Sequence, residues 1–226
     1  MHSFSDPLLL PVTKETPGEF LKRALPLHNT EGAAYVESRG IPVEIAHEAG
    51  VKYCAKFVDR PAVVVPLRDG NNTITSVHGR YITTVRKQNK MLTFGTGNGL
   101  LSVSGGIRND PLIIVEGLFD ALSLAVCGWP ACATIGRYVM WLPEVCKGRT
   151  IWLAFDSCRP AEAECARYRS LLTGSRVHRL PPPFRSKDWN TALRKHGKQI
   201  TINWIKHVTD KIFKTVPPAG EPMEGA

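Results

Sequence analysis

The spacing of apolar positions changes character partway along the chain. Leu112-Ile113-Ile114-Val115 is apolar throughout, and residues 150–155 (TIWLAF) are nearly so. Short, fully apolar runs predict strands buried on both faces. Helical spacing fills the intervals, over 118–127, 139–146, 161–172 and 188–195, with further short strands expected at 131–135 and 177–180. Alternation of this kind predicts a mostly parallel sheet flanked by helices. The first half reads differently. Helices are expected over 16–25, 30–38 (with Thr30 as N-cap and Gly40 as stop) and 42–49. The run AVVVP at 62–66, the turn residues Arg68-Asp69-Gly70-Asn71-Asn72 and an alternating 73–78 predict a hairpin. Residues 93–106, rich in Gly and Ser, read as a linker or mobile loop. The fold class is therefore α/β, organised as a loose leader (1–15), a smaller α+β N-terminal subdomain (16–108), a parallel-sheet domain (109–200), and a C-terminal helix with a disordered tail (201–226).

Composition adds a partner class. Of 226 residues, 43% are hydrophobic, enough for a core, and 29 Lys+Arg face 20 Asp+Glu for a net charge of +9. Residues 159–214 hold 13 Lys/Arg and 4 Asp/Glu, so this one segment carries the whole surplus. A localised basic excess points to a polyanion such as nucleic acid, although a solvated helix surface has the same composition. No apolar run is long enough for a membrane span, and no signal peptide is expected. The six cysteines form no CxxC pair, so no zinc site is recognised; their apolar settings suit free thiols in a reducing, cytoplasmic compartment.

Chemistry is expected at strand ends. In open parallel sheets ligands gather beyond the carboxyl ends of the strands. Glu116 follows the strand at 112–115, and Asp156 follows the one at 150–155. If the two strands are neighbours, their carboxylates meet there and offer the hard oxygen ligands that Mg²⁺ takes. Such a metal suits phosphoryl transfer. Asp120 lies one helical turn after Glu116, as either a ligand or a helix-surface residue. Asp188 either completes the acidic set or caps the helix it begins. Lys187 either meets a phosphate or is solvated. Arg80, Arg86, Lys87 and Lys90 make a basic cluster after the hairpin. Trp189 reads as a packing residue and His78 as structural.

Three segments carry a family resemblance. Val115-Glu116-Gly117-Leu118-Phe119-Asp120-Ala121 is similar to the first TOPRIM motif, Ala154-Phe155-Asp156-Ser157-Cys158 to the second (Phe-Asp-x-Asp), and Lys187-Asp188-Trp189-Asn190 to the closing KDxN element. Upstream, Tyr35-Val36-Glu37-Ser38-Arg39-Gly40-Ile41-Pro42 resembles the YLxxRGI helix of bacterial-type primase cores, and Val64-Val65-Pro66-Leu67-Arg68-Asp69 with Val77-His78-Gly79-Arg80 resembles their PirD…GR hairpin. The resemblance spans residues 30–197; the zinc-binding and helicase-binding modules of complete primases have no counterpart.

It implies a C-terminal TOPRIM domain and primer synthesis on single-stranded DNA from nucleoside triphosphates with Mg²⁺ or Mn²⁺. Glu116 would be the general base, general acid or a metal ligand, Asp156 the principal ligand, and Asp120 or Asp188 further ligands. Arg80 and Lys90 would bind nucleotide phosphates or template. A mobile-element origin fits the missing modules, and a helicase or another replication protein is a conceivable partner. One departure matters: Cys158 stands where the family has a second Asp. A thiol is a soft ligand that suits Mg²⁺ poorly. Three readings follow from Cys158: Asp188 or Asp120 compensates and the enzyme works, the site prefers another metal, or the domain has lost catalysis and remains as a nucleic-acid-binding replication accessory. Apart from these, the TOPRIM resemblance leaves a nuclease as a further alternative.

Overall fold

The computed structural model describes residues 15–85 and 88–215, with side chains described as far as 211. The leader through residue 14, Arg86 and Lys87, and the tail from 216 lie outside the described residues.

The described residues form two five-stranded sheets. In the N-terminal half the order along the chain is α1 (Pro17–Arg23), β1 (Leu25–Pro26), α2 (Glu31–Ser38), α3 (Val43–Glu48), then β2 (Lys52–Phe57), β3 (Arg60–Arg68), β4 (Ile74–Tyr81) and β5 (Met91–Gly95). The five strands are antiparallel neighbours in chain order. The helix starts follow from their caps: Thr16 and Glu19 form a reciprocal capping box at α1, and the Thr30 hydroxyl accepts the Ala33 N–H at α2. β3 is the central strand, and its period of two divides it between two cores. Val63, Val65 and Leu67 join the core beneath α2 and α3, while Ala62 and Val64 pack with Phe20, Phe57 and Val77 beneath α1.

The second half contributes β6 (Leu101–Ser102), β7 (Leu112–Val115), α4 (Leu118–Val126), β8 (Ala131–Ala133), α5 (Leu142–Cys146), β9 (Thr150–Leu153), α6 (Arg159–Leu171), β10 (Arg176–Arg179) and α7 (Trp189–Thr215), the last broken at Gly197 (φ 80°, ψ 170°). Its sheet runs β10-β9-β7-β8-β6, parallel except for the edge strand β6. Alternate residues of β7 face opposite ways: Ile113 and Val115 join α4 and α7, and Leu112 and Ile114 join α6. The larger core runs without a break from Leu27 and Val63 to Ile113, Trp152, Trp189 and Ile205, so the two sheets share one interior.

The expected linker at 93–106 is instead ordered structure. β5 and β6 lie within or overlap it, and Leu100, Leu101 and Val103 are buried. Three of its glycines, Gly95, Gly99 and Gly106, serve close backbone approach. Leu100 and Arg68 exchange backbone hydrogen bonds of 2.8 and 2.9 Å, and a Cβ on Gly99 would lie 2.8 Å from the Leu67 carbonyl carbon. Among the described residues no helix is long and apolar enough to cross a membrane. All six cysteines are free thiols.

Candidate functional site

β7 and β9 are parallel neighbours, with Ile114 opposite Leu153, and the Ala154 N–H donates to the Ile114 carbonyl at 2.8 Å. The two strands therefore end at the same edge of the sheet, and Glu116 and Asp156 step off there side by side. The Asp156 N–H donates to Glu116 Oε1 at 3.3 Å. Asp120, in the first turn of α4, turns back toward the strand end: a Cβ on Gly117 would lie 2.8 Å from Asp120 Oδ2, so the glycine leaves room for that carboxylate. Asp188 accepts the Thr191 N–H at 2.6 Å and so caps α7, while its charge is felt by both Asp120 and Asp156. It therefore caps the helix from a position within electrostatic reach of the other two acids.

Burial and mutual repulsion set the electrostatics. Asp120 is pushed up from 3.8 to about 7, first by burial and then by the charges of Asp188 and Asp156, against a 3.1 Å hydrogen bond from the Asn190 N–H. Asp156 is pushed up to about 6 by burial and by Glu116 and Asp188; Lys187 and Arg179 pull the other way. Burial also raises Glu116. Carboxylates displaced in this direction lack a compensating charge, which a cation would supply. Among the described residues no three His, Cys, Asp or Glu side chains converge tightly enough to form a ready-made metal site. The donor set nevertheless fits a hard divalent ion: it is all carboxylate oxygen, and its members repel one another.

The frame around these acids is closely hydrogen-bonded. Arg179, at the end of β10, donates to the carbonyls of Leu153 (3.0 Å), Phe155 (2.9 Å) and Asp156 (2.8 Å) and to Glu162 Oε1 (2.7 Å). Its guanidinium thus clamps the strand end that presents Asp156. The buried Trp189 indole N–H donates to the Ala154 carbonyl at 2.8 Å, which makes it a packing residue. Asn190 donates through its side chain to the Arg39 carbonyl (2.8 Å) and Ser123 Oγ (3.0 Å). The exposed Lys187 sits on a loop tied to the site by the Ser157 N–H, which donates to the Lys187 carbonyl at 2.7 Å. Cys158 is exposed at the N-cap of α6, where its side chain makes no capping bond.

A basic cavity of about 390 Å³ lies beside this edge, lined by Arg80, Lys90, Arg137 and the rim of His78 among others. It adjoins the site because Ile135, Gly136 and Arg137 follow β8, whose exit is tied to β7 by the Thr134 N–H donating to the Val115 carbonyl at 3.0 Å. Arg80 Nε is buried with no hydrogen-bond partner. His78 is structural: its Nδ1 contacts Thr93 Oγ1 at 2.9 Å, and burial and nearby arginines push it down to about 3. Arg86 and Lys87 of the expected basic cluster lie outside the described residues. Sequence reasoning missed Arg137 and Arg179. Both stand at or just beyond the carboxyl end of a parallel strand, the same signal that identified Glu116 and Asp156.

No family model and no curated protein sequence matches the chain. Solved structures do. The catalytic domain of DnaG primase bound to single-stranded DNA superposes with a TM-score of 0.63 at 18% identity, over 89% of this chain and 82% of that one. The zinc-binding and RNA polymerase domains of Aquifex aeolicus primase give 0.62 at 19% identity, covering 86% of this chain. The primase fragment of the bacteriophage T7 primase-helicase gives 0.56 at 21%, over 81% and 78%. The chain spans 62% of the length of that Aquifex chain. The fold is therefore that of a bacterial DnaG-type primase catalytic core.

Proposed function

We propose that this chain is a primase-type nucleotidyltransferase of the TOPRIM class, which makes primers on single-stranded DNA in the cytoplasm from nucleoside triphosphates. One observation carries the reading: Glu116, Asp120 and Asp156 gather at the carboxyl edge of the parallel sheet of a primase-core fold, all with raised carboxyl pKa values. Asp156 and Asp120, with Asp188 beside them, are the residues that would hold Mg²⁺ or Mn²⁺. When bound, that ion supplies neutralisation of the phosphate charge and alignment of the reacting oxygens. Glu116 is suited to accept the proton of the attacking hydroxyl, since a carboxylate raised by burial is a stronger base than a solvated one. The cations of the cavity, Arg80, Lys90 and Arg137, are suited to the triphosphate, and Lys187, whose charge reaches Glu116 and Asp156, is suited to a phosphate held at the acids. Arg179 and Trp189 keep the Asp156 strand end in register.

The decisive experiment is template-dependent extension from labelled nucleoside triphosphates with each metal. Product that forms with wild-type protein and disappears with Glu116→Gln supports the proposal; absence of product with both metals at high protein concentration overturns it. Cys158 favours a second reading, in which the chain binds nucleic acid without turnover. That reading predicts salt-sensitive binding of single-stranded DNA, no product, and a gain in metal affinity on Cys158→Asp. Nicking of plasmid in the same buffer would instead indicate a nuclease.

A further inference from the structure

The surface beyond Asp188 has a feature that the acidic cluster does not use. Three prolines, Pro181 to Pro183, lead into a single tight turn, Pro183–Arg185, in which two consecutive non-glycine residues have left-handed backbone angles: Phe184 (φ 50°, ψ 41°) and Arg185 (φ 56°). Left-handed backbone is unfavourable for any residue with a Cβ. The turn also leaves the Phe184 ring 58% exposed. Strain and an exposed aromatic ring are both unfavourable, so folding alone gives little reason to combine them.

The ring does not stand alone. Its centroid is 5.2 Å from that of His196 and 5.5 Å from that of Trp204, and Trp204 lies 6.3 Å from His207. Trp204 is fixed by its indole N–H, which donates to the Pro181 carbonyl at 3.0 Å. Phe184 thus bridges His196 and Trp204, which stand on either side of the break in α7 at Gly197, and the row continues from Trp204 to His207. The segment that carries them, residues 184–207, contains six Lys/Arg and one acidic residue, Asp188. Aromatic rings set among cations fit a chain of stacked bases joined by phosphates; they fit an acidic or purely apolar partner less well. The row is also close to the candidate site, since the four residues from Phe184 to Asp188 span at most ~14 Å.

We infer that the Phe184–Trp204 row is a stacking platform for single-stranded nucleic acid, which receives the strand next to the acidic cluster. The platform deepens the primase reading and rests on its choice of partner. The competing account is a packing staple, in which the rings only pin the turn to α7. Phe184→Leu separates the two, because it keeps apolar volume and gives up the stacking face.

The test is fluorescence anisotropy of the full chain with a labelled oligo(dT) at low salt. Phe184→Leu and Phe184→Ala should weaken binding about tenfold, and Phe184→Trp should preserve it. Replacing Lys206 with Gln should flatten the salt dependence by one phosphate contact. Ultraviolet crosslinking to 5-iodouracil in the oligonucleotide should label the peptide containing Phe184 or Trp204. If wild-type and Phe184→Leu proteins bind equally, and crosslinks map elsewhere, the platform is overturned while primer synthesis stands. If the wild-type protein binds no oligonucleotide at all, both the platform and the template half of the proposed function fall.

Discussion

Replacing Asp120 by Asn should stabilise this protein, and by an amount that depends on pH. The substitution removes a charge while keeping the shape and the oxygen that accepts the Asn190 N–H at 3.1 Å. The carboxyl is held near 7 where 3.8 is ordinary. Since the folded state binds the proton more tightly than the unfolded chain, stability is highest below about 3.8 and falls as pH rises to and through about 7. The full displacement corresponds to about 4 kcal/mol at pH 8 and to less than half of that at pH 5. Asp120 keeps an accessible edge, so solvent screening should reduce the pH 8 figure to about 2–4 kcal/mol. For a chain of this length each kcal/mol moves Tm by about 2–4 °C. Thermal melts of wild-type and Asp120→Asn proteins in metal-free buffer at both pH values measure the effect. A Tm gain of roughly 5–10 °C at pH 8 that shrinks by more than half at pH 5 is expected. A loss of stability, or a gain independent of pH, would refute the account of Asp120 as an uncompensated carboxylate.

Three other outcomes follow from the same geometry. Mg²⁺ or Mn²⁺ should raise the Tm of the wild-type protein more at pH 8 than at pH 5, because protons and metal compete for the same carboxylates; Asp120→Asn should blunt the gain, which differential scanning fluorimetry reads directly. Glu116→Gln should lower primer formation by about 10²–10⁴-fold with no loss of Tm, as extension assays and melts on one preparation would establish. Trp189→Phe should cost about 1–3 kcal/mol in denaturant unfolding, because it leaves the buried Ala154 carbonyl without its donor.

The parts of this structure that were legible in the sequence share one property: their burial is written in consecutive residues. β7 and β9 are apolar at nearly every position because both faces are covered, and an acid immediately after each has one place to go. β2 and β5 escaped notice. Lys52, Lys56 and Thr93 interrupt their patterns, and Gly95 and Gly99 read as mobile where they allow close backbone approach. The position of Arg179 at a strand end was a legible signal, but its clamping role was not. Its partners are the carbonyls of Leu153, Phe155 and Asp156, more than twenty residues away, and backbone acceptors leave no mark in a sequence. Asp188 could be read as a cap or as a site residue because its capping position also lies within electrostatic reach of Asp156.

The shared interior bears on how such a chain could be rearranged. Phe119 of α4 packs edge-on against Tyr35 of α2 at 5.6 Å, the Arg39 guanidinium lies 4.7 Å over the same ring, and Asn190 ties the Arg39 carbonyl to the helix layer that carries Asp120. A gene fragment that encoded the acidic half alone would leave this face wet and the acidic half without a wall. Recombination that swaps one half for a distant homologue's would meet the same mismatched seam, so the two halves are expected to be inherited, and to diverge, as a single unit.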